Sequence, residues 1–351
     1  TRYWRDWSSD VCSSDLAIPT PDQTGITSST AESFWKGGLS YWGVDCVREG
    51  YIVETLPYNG TISFGNSSNS RDLSNYKVFV VCEPNIKFAT AEKTAILNFV
   101  SAGGSLFIIA DHDVSDRNND GWDAPHIWND LMQNNGTGNT NPFGFVFDLV
   151  DISETTSKLA SGLLSTDSIL HGSFGNVSKI MLSGGTTMTA SPSLNSKVKP
   201  IIYKSSVSSA SGNSNVVYLT SRYGAGRIVA IGDSSPFDDG SGDALDVLYN
   251  GYTGDAPPNH RNIIMNSTIW LASYDAPCDT THWTGSVGKA WENPYNWSCG
   301  TIPGANTIVY IDSGKSNYPE VSSNVLIRKL FTMSGASVKV NAAYKITVQG
   351  P

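Results

Sequence analysis

Two short apolar runs enclose an amphipathic segment in the first third of the chain, and this order constrains the fold most strongly. Residues 77–82 and 105–110 are mostly apolar, as expected for strands that are buried on both faces of a sheet. Residues 90–100 have helical periodicity, and Gly103 and Gly104 provide the end of that helix. A strand, a helix and a strand within about 35 residues predict a βαβ unit with a parallel sheet.

Further elements extend this unit to a whole domain. They are a helix over 30–50 with caps at Ser29 and Thr30, a strand over 51–56, a strand over 216–220, a glycine turn at 224–226, a strand over 228–232 and a helix over 260–274. We therefore predict an α/β domain over residues 17–276. Its expected architecture is three-layer and flavodoxin-like, with a mainly parallel sheet.

The composition changes after this domain, and we expect a separate all-β module over residues 277–351. Its first part contains Trp283, Trp291 and Trp297, which either form the core of the module or stack on sugar rings. Short alternating strands follow. The last of them lies close to Pro351, so we expect a truncated module that continues in a longer chain.

The cysteines support the same division of the chain. Cys278 and Cys299 bracket the Trp-rich segment, and a disulfide between them would close a loop of about 20 residues and stabilise the module by ~3 kcal/mol. The alternative is two free thiols. Cys46 and Cys82 are expected to be buried apolar thiols of the first domain.

Residues 6–16 resemble the translation of a short-read sequencing adapter and lack a helical or strand period. We therefore expect residues 1–16, which include Cys12, to lie outside the fold. The natural N-terminus would then be missing.

Composition excludes several classes of function. The chain has 23 Lys and Arg residues against 32 Asp and Glu residues, a formal charge of −9, which argues against nucleic acid as a partner. No apolar run approaches the ~18 residues of a membrane span. The sequence contains neither a Gly-rich phosphate loop nor a Rossmann fingerprint, so no nucleotide cofactor is expected.

The strand–helix–strand unit and the Gly224–Gly226 turn give residues 30–274 a resemblance to the class I glutamine amidotransferase-like superfamily. The resemblance implies an amidotransferase-like α/β fold. In true amidotransferases a nucleophile elbow with cysteine follows the second strand, but this chain has Ala110-Asp111-His112-Asp113 there. The late strand is followed by Asp233-Ser234-Ser235 in place of a catalytic His and acid. Cysteine-dependent glutamine hydrolysis is therefore excluded.

The segment from Thr281 onward is similar to modules of large secreted Bacteroidota proteins that use type IX secretion. The resemblance is carried by residues 283–285, 291–300, 302–303 and 317–319. It implies secretion or display at the cell surface, with polysaccharide or cell-surface material as an expected partner.

Two predicted buried strands end in acidic residues. Asp111 follows the strand at 105–110, and Asp233 follows the strand at 228–232. Because ligands of open parallel sheets bind at the carboxyl ends of the strands, we expect both carboxylates within ~8 Å at one edge. Further candidate metal ligands lie in the two loops that continue from these strands: Asp113, Asp116, Asn118, Asp120, Asp238 and Asp239.

Turn formation is the alternative role for the Asp, Asn and Gly residues of these loops. The run from Asp116 to Gly121 matches the first half of an EF-hand loop, but its twelfth position is Ile127, so a complete EF-hand is excluded. An irregular calcium loop remains open. His126 is expected to pack at a helix start.

The sequence leaves two functions open. The first is a secreted hydrolase that binds Ca²⁺ or another divalent cation, with Asp111 and Asp233 in the site and His112 or His260 as acid–base partner. A triad of Ser234 or Ser235 with His260 and Asp111 has no elbow motif to support it. The second function is a non-catalytic surface module for adhesion or glycan binding.

Overall fold

The computed structural model describes residues 2–6, 21–57, 60–163, 167–241, 249–273, 279–299 and 301–350. Within these ranges no helix is long and apolar enough to cross a membrane.

The first domain is a mixed α/β structure. Its helices and strands, in chain order, are β1 (Arg2–Asp6), α1 (Ser40–Arg48), β2 (Val53–Thr55), β3 (Val78–Cys82), α2 (Thr90–Ser101), β4 (Ser105–Ile109), α3 (Ala124–Gln133), β5 (Phe145–Phe147), β6 (Ile152–Thr156), β7 (Lys158–Leu159), β8 (His171–Gly172), β9 (Gly175–Asn176), β10 (Ile180–Gly185), β11 (Met188–Ala190), β12 (Lys199–Tyr203), β13 (Val216–Tyr223), β14 (Gly226–Ile231) and α4 (Asn259–Ala272). The βαβ unit expected from the sequence is confirmed as β3-α2-β4 within one or two residues.

The central sheet has the strand order β2-β1-β3-β4-β14-β13-β11-β5, with β12 paired to β13 and β7 paired to β12. The first five strands of this order are parallel, as predicted. From β13 onward the pairing is antiparallel. Two small antiparallel pairs, β10-β6 and β8-β9, lie outside this sheet.

Helices pack on both faces of the parallel part. Along β4, Leu106 and Ile108 belong to a core with residues of α2 and α3, whereas Phe107 and Ile109 belong to a core with residues of α1 and α4. Because successive side chains of a strand point to opposite faces, these two cores lie on opposite sides of the sheet. The carboxyl ends of the parallel strands remain at the edge between the helical layers.

The glycine turn before β14 is required by a close approach. Gly224 has φ +57°, and a Cβ atom on it would lie 2.2 Å from the carbonyl oxygen of Ser101 at the end of α2. Only glycine fits this contact without displacing α2.

Two expectations for the N-terminal part are wrong. Residues 1–16 were expected outside the fold, but Arg2–Asp6 pairs in parallel with both β2 and β3. The proposed origin of this segment stays a prediction. The helix expected over 30–50 begins only at Ser40, because Gly37 and Gly38 have φ +103° and +56°, which a helix cannot contain.

The C-terminal module is built from short parallel pairs. Its strands are β15 (Thr280–His282), β16 (Ile308–Ile311), β17 (Glu320–Val321), β18 (Val325–Ile327), β19 (Lys329–Thr332), β20 (Lys339–Val340) and β21 (Ile346–Val348). The segment β16-β17-β18 is followed by β19-β20-β21, and each strand of the first pairs in parallel with its counterpart in the second. Successive coils therefore stack, in the manner of a parallel β-helix.

The tryptophans of the module form its core. Trp283, Trp291 and Trp297 are buried, and the ring centroids of Trp283 and Trp291 lie 4.9 and 4.6 Å from that of Trp297. Of the two roles considered, the structural one is confirmed for these three side chains.

Cys299 is disulfide-bonded, whereas its expected partner Cys278 lies outside the described residues. Cys46 and Cys82 are buried thiols that form no disulfide, as expected.

Candidate functional site

Three acidic residues follow the carboxyl ends of neighbouring parallel strands. Glu83 comes directly after β3, whereas Asp111 and Asp233 each lie two residues beyond β4 and β14. Strand β4 pairs with both β3 and β14, and Ile109 is in register with Ile231. The fold thus brings Asp111 and Asp233 to one edge of the sheet, where Glu83 also lies. We call Glu83, Asp111 and Asp233 the carboxyl cluster.

Arg117 contacts two members of this cluster. Its Nη2 atom lies 2.5 Å from Oε2 of Glu83 and 3.3 Å from Oδ2 of Asp111. The loop after β4 turns back to make this contact, since the Arg117 backbone N–H donates to Oδ1 of Asn85 at 3.2 Å. One guanidinium therefore offsets part of the negative charge that the strand ends collect.

Glu83 has an unusual environment and an unusual backbone. Burial and the charge of Asp111 raise the pKa of Glu83 well above its ordinary value, and the Arg117 cation opposes this shift only in part. Its φ of 41° lies in the left-handed region, which non-glycine residues rarely adopt. Backbone outliers of this kind cluster at functional sites, where the surrounding structure holds them in place.

Asp233 is fully buried. Its Oδ2 accepts from the Ser183 backbone N–H at 2.5 Å and its Oδ1 from the Ser235 backbone N–H at 2.9 Å. Burial raises the pKa of Asp233 to about 7; the charge of Asp111 adds to this shift, and the two backbone donors oppose it. Asp111 and Asp233 are therefore close enough to interact electrostatically.

Strand β10 covers this side of the cluster. A Cβ atom on Gly185 would lie 2.7 Å from Cβ of Asp233, and one on Gly184 would lie 3.2 Å from Cδ2 of His112. The glycines thus allow the β10 backbone to approach both side chains closely. As a consequence, Asp233 is shielded from solvent, whereas His112 remains half-buried.

His112 is held in one tautomer by its own loop. Its Nδ1 lies 2.7 Å from the carbonyl oxygen of Asp113, so Nδ1–H donates, and in the neutral ring the lone pair lies on Nε2. The backbone N–H of His112 donates to Oδ1 of Asp111 at 2.7 Å. This arrangement leaves the ring with a basic nitrogen beside the carboxyl cluster.

His260, the other predicted acid–base residue, uses both ring nitrogens in hydrogen bonds. Nδ1 donates to the carbonyl oxygen of Gly251 at 2.9 Å, and Nε2 accepts from the backbone N–H of Met181 at 3.0 Å. Burial lowers the pKa of His260, which favours this neutral form. Met181 and Ser183 lie two residues apart on β10, so His260 and Asp233 anchor the same strand.

The loop that resembles half of an EF-hand makes turns. The carboxylate of Asp116 accepts from the backbone N–H groups of Asp120 and Gly121, and Asn118 Oδ1 also accepts from the backbone of Asp120. Asp120 in turn accepts from the Trp122 backbone N–H at 2.9 Å. These hydrogen bonds stabilise the loop that contains Arg117. The Asp and Asn residues therefore have the turn-forming role considered above.

Asp238 and Asp239 have different surroundings although they are adjacent. Asp239 is buried, and its carboxylate accepts from the backbone N–H groups of Gly37 at 3.0 Å and Ser241 at 2.8 Å. The charge of Asp238 contributes to the raised pKa of Glu83, so these two side chains are close enough to interact electrostatically.

Among the described residues, one group of side chains could hold a metal ion, namely Asp113, Asp123 and His126, with ligand atoms all within 4.8 Å of one another. Asp123 caps helix α3; its Oδ1 lies 2.7 Å from His126 Nδ1, which is 3.8 Å from Asp113 Oδ1. His126 does lie at a helix start, as expected. Of the ligands predicted from the sequence, only Asp113 belongs to this group, and nothing in it is specific to calcium.

Sequence reasoning missed Glu83, Arg117 and the metal-binding potential of Asp123 with His126. Glu83 could have been found, because it follows a buried strand just as Asp111 and Asp233 do. The spacing of Asp123 and His126 at a helix start also places both on one face. Arg117 carries no such signal, because its position depends on how the loop folds back.

Comparisons with known proteins concern the two parts of the chain separately. Residues 282–350 match a family described as Domain of unknown function (DUF8693). Among solved structures, the mmIFT52 N-terminal domain is similar, with a TM-score of 0.48 and 12% sequence identity over 79% of this chain and 100% of that chain. No curated protein sequence matches the chain.

Proposed function

We propose that the protein is an exported hydrolase of polysaccharide or related cell-surface material, and that the carboxyl cluster is its acid–base site. The observation that carries this proposal is the geometry of the cluster: Glu83 and Asp111 both contact Nη2 of Arg117, at 2.5 and 3.3 Å. Burial and the charge of Asp111 raise the pKa of Glu83, which favours its protonated form. A protonated carboxyl group beside a second carboxyl group is an arrangement that general acid–base hydrolysis uses.

In this mechanism Glu83 donates its proton to the leaving oxygen while an Asp111 carboxylate oxygen attacks the anomeric carbon, as the short separation of two carboxyl groups on one arginine nitrogen favours. Glu83 then accepts a proton from the water that releases the sugar from Asp111. Arg117 contacts both groups and stabilises the Asp111 carboxylate. The basic Nε2 of His112 is a second proton acceptor beside them. Asp233 and His260 act as positioning residues, because each holds β10 over the site and neither presents a free polar atom to a substrate.

A divalent cation at Asp113, Asp123 and His126 would place a positive charge next to this site. The sequence favoured Ca²⁺, but an imidazole ligand suits Zn²⁺ or Mn²⁺ better than Ca²⁺, which prefers oxygen. We therefore propose a transition-metal ion at this group, where it would order the loop that carries Asp111 and His112.

Export and ancestry are part of the proposal. The disulfide at Cys299 supports an oxidising compartment, in line with the resemblance to type IX-secreted Bacteroidota proteins. Helices on both faces of a parallel sheet support a three-layer, flavodoxin-like and amidotransferase-like ancestry for the first domain.

The test is hydrolysis of chromogenic glycosides and natural polysaccharides by the intact protein and by Glu83→Gln and Asp111→Asn. Each substitution should lower kcat by about 10²-fold or more. Asp279→Asn, the same change at an exposed position of the C-terminal module, is the matched control and should retain activity. Equal rates in all four proteins would remove the carboxyl cluster from the reaction.

A second candidate function, glycan binding without catalysis, is favoured by a row of partly exposed aromatic rings on the module. Tyr310 stacks between His282 and Phe331, with centroid distances of 4.8 and 4.9 Å, and Phe331 is 42% exposed. Binding of polysaccharides that is lost in Phe331→Ala but kept in Glu83→Gln would favour this function over the hydrolase.

A further inference from the structure

A cleft of the first domain lies between strand β10 and the loop of residues 249–256. Its free space is about 380 Å³, which is within the size range of pockets that bind small molecules. One wall contains Thr155, Lys179 and Met181, and the opposite wall contains Tyr249, Gly251 and Asp255, with His260 between them. We call this space the β10 cleft.

Hydrogen bonds of one histidine hold the two walls of the β10 cleft in place. Nδ1 of His260 donates to the carbonyl oxygen of Gly251 on one wall, and its Nε2 accepts from the Met181 backbone N–H on the other. The backbone N–H of His260 also donates to Oδ2 of Asp255 at 3.1 Å, which orients that carboxylate. The cleft is therefore formed in advance, and a ligand does not have to order its walls.

The β10 cleft and the carboxyl cluster are neighbours. Met181 in the cleft lies about 7 Å along the strand from Ser183, whose backbone N–H donates to Oδ2 of Asp233. On the other wall, the Gly251 backbone N–H donates to the carbonyl oxygen of Asp238, whose charge acts on the cluster. An extended ligand could therefore occupy both places at once.

The charges of the cleft favour a ligand with hydroxyl groups and no net charge. Nζ of Lys179 lies 3.8 Å from Oδ1 of Asp255, which is too far for a direct hydrogen bond. A hydroxyl oxygen about 2.8 Å from both atoms would accept from the ammonium group and donate to the carboxylate. A lone anion would meet Asp255, and a lone cation would meet Lys179, so each would be repelled by one member of the pair.

Tyr249 adds an aromatic ring to this cleft. It is 44% exposed, so its ring presents an apolar face to a ligand, as the C–H groups of a sugar ring require. We propose that the β10 cleft binds a neutral saccharide unit, with Lys179 donating to a sugar hydroxyl, Asp255 accepting from it and Tyr249 packing on the sugar ring. The inference rests on the proposed function, because it gives the same site a cleft for another part of the polysaccharide.

The experiment measures binding of the full chain to neutral gluco-, xylo-, manno- and chito-oligosaccharides, with oligogalacturonate as an anionic probe and free glycine as a zwitterionic one. Tyr249→Ala should weaken binding of the neutral probe by about tenfold, and Lys179→Met by about tenfold to a hundredfold. The matched controls are Tyr344→Ala, at a tyrosine that is also 44% exposed, and Lys197→Met, at another exposed position. Both controls should bind like wild type.

Methyl NMR of the methionines in the unmodified protein provides a second readout that does not depend on how the variants fold. Met181 lines the cleft, so its signal should shift when the neutral probe binds. Met333 lies in the C-terminal module and is 40% exposed, so a shift of its signal alone would place the ligand on the module.

Several results would overturn the inference: an unshifted Met181 signal, wild-type affinity in both Tyr249→Ala and Lys179→Met, no binding of any neutral probe, or preference for oligogalacturonate or glycine. Binding that depends on Tyr249 and persists in Glu83→Gln, without hydrolysis by the wild-type protein, would support the inference and reject only the hydrolase. Hydrolysis that depends on Glu83 but has an unchanged KM in Tyr249→Ala and Lys179→Met would do the reverse.

Discussion

Nη2 of Arg117 lies 2.5 Å from Oε2 of Glu83, the residue that follows β3. Oε2 can accept this hydrogen bond whether Glu83 is ionised or neutral, so a proton on Glu83 resides on Oε1. Burial and the Asp111 charge raise the pKa of Glu83 and favour that protonated form. The contact therefore orients a carboxylic acid with its proton directed away from the arginine.

Removing the arginine should make the protein sensitive to pH. In Arg117→Gln the carboxyl cluster loses its cation, and the free energy of unfolding at neutral pH should fall by about 1–3 kcal/mol. The loss should be smaller at about pH 5, where protonation removes the repulsion. Urea unfolding at both pH values measures this. Arg328→Gln, at an exposed position of the module, is the control; an identical loss at both pH values would contradict the prediction.

The contribution of Asp233 to the free energy of unfolding should fall as the pH rises. Its pKa is about 7 in the folded protein against an ordinary value of 3.8 for an aspartic acid, so the folded state binds more protons than the unfolded state between these pH values. Stability from this group is therefore greatest below about pH 4 and declines by at most about 1.4 kcal/mol per pH unit up to about pH 7.

Asp233→Asn tests this dependence by urea unfolding across the same pH range. The variant should be less stable at acid pH, because an amide cannot accept from both Ser183 and Ser235, and its stability should depend less on pH than that of wild type. Asp116→Asn should retain the wild-type slope. Parallel pH curves for Asp233→Asn and wild type would show that Asp233 titrates normally.

A buried ion pair joins the two helices on one face of the sheet. Asp45 of α1 accepts from Arg261 of α4 at 2.7 and 2.9 Å and from the Tyr252 hydroxyl at 2.7 Å. Asp45→Ala would leave the partly buried guanidinium without this partner and should destabilise the protein by about 3–5 kcal/mol. Glu320→Ala, which breaks an exposed pair with Lys339, should destabilise the protein far less, because solvent screens that pair. Similar losses in the two variants, measured by urea unfolding, would refute this difference.

The metal proposal predicts a preference among ions. Zn²⁺ or Mn²⁺ should raise the melting temperature more than Ca²⁺, because His126 supplies a nitrogen ligand. His126→Gln should abolish the shift, whereas His171→Gln, at an exposed histidine outside the group, should retain it. A shift with Ca²⁺ alone, or one that persists in His126→Gln, would place the ion elsewhere.

Local sequence patterns were sufficient to predict the strands and the helix that build the parallel part of the sheet. The βαβ unit was predictable because a strand buried on both faces must be apolar along its length, as residues 78–82 and 105–109 are. The edge that carries Asp111 and Asp233 followed from the same rule, since parallel strands present their carboxyl ends together. The start of α1 was predicted too early, because Ser29 and Thr30 were read as its caps. The left-handed conformation of Gly37 and Gly38, which prevents a helix there, was not visible in the sequence pattern.

The sequence by itself determined which strands are buried and which acidic residues follow them, because both depend on residues close together along the chain. Only the tertiary structure decided what those acids do. Asp233 is sealed beneath β10, Asp116 stabilises a turn, and Glu83 joins Asp111 because Arg117 folds back from a loop 34 positions further along. These outcomes depend on burial and on contacts between distant segments, which local periodicity does not encode.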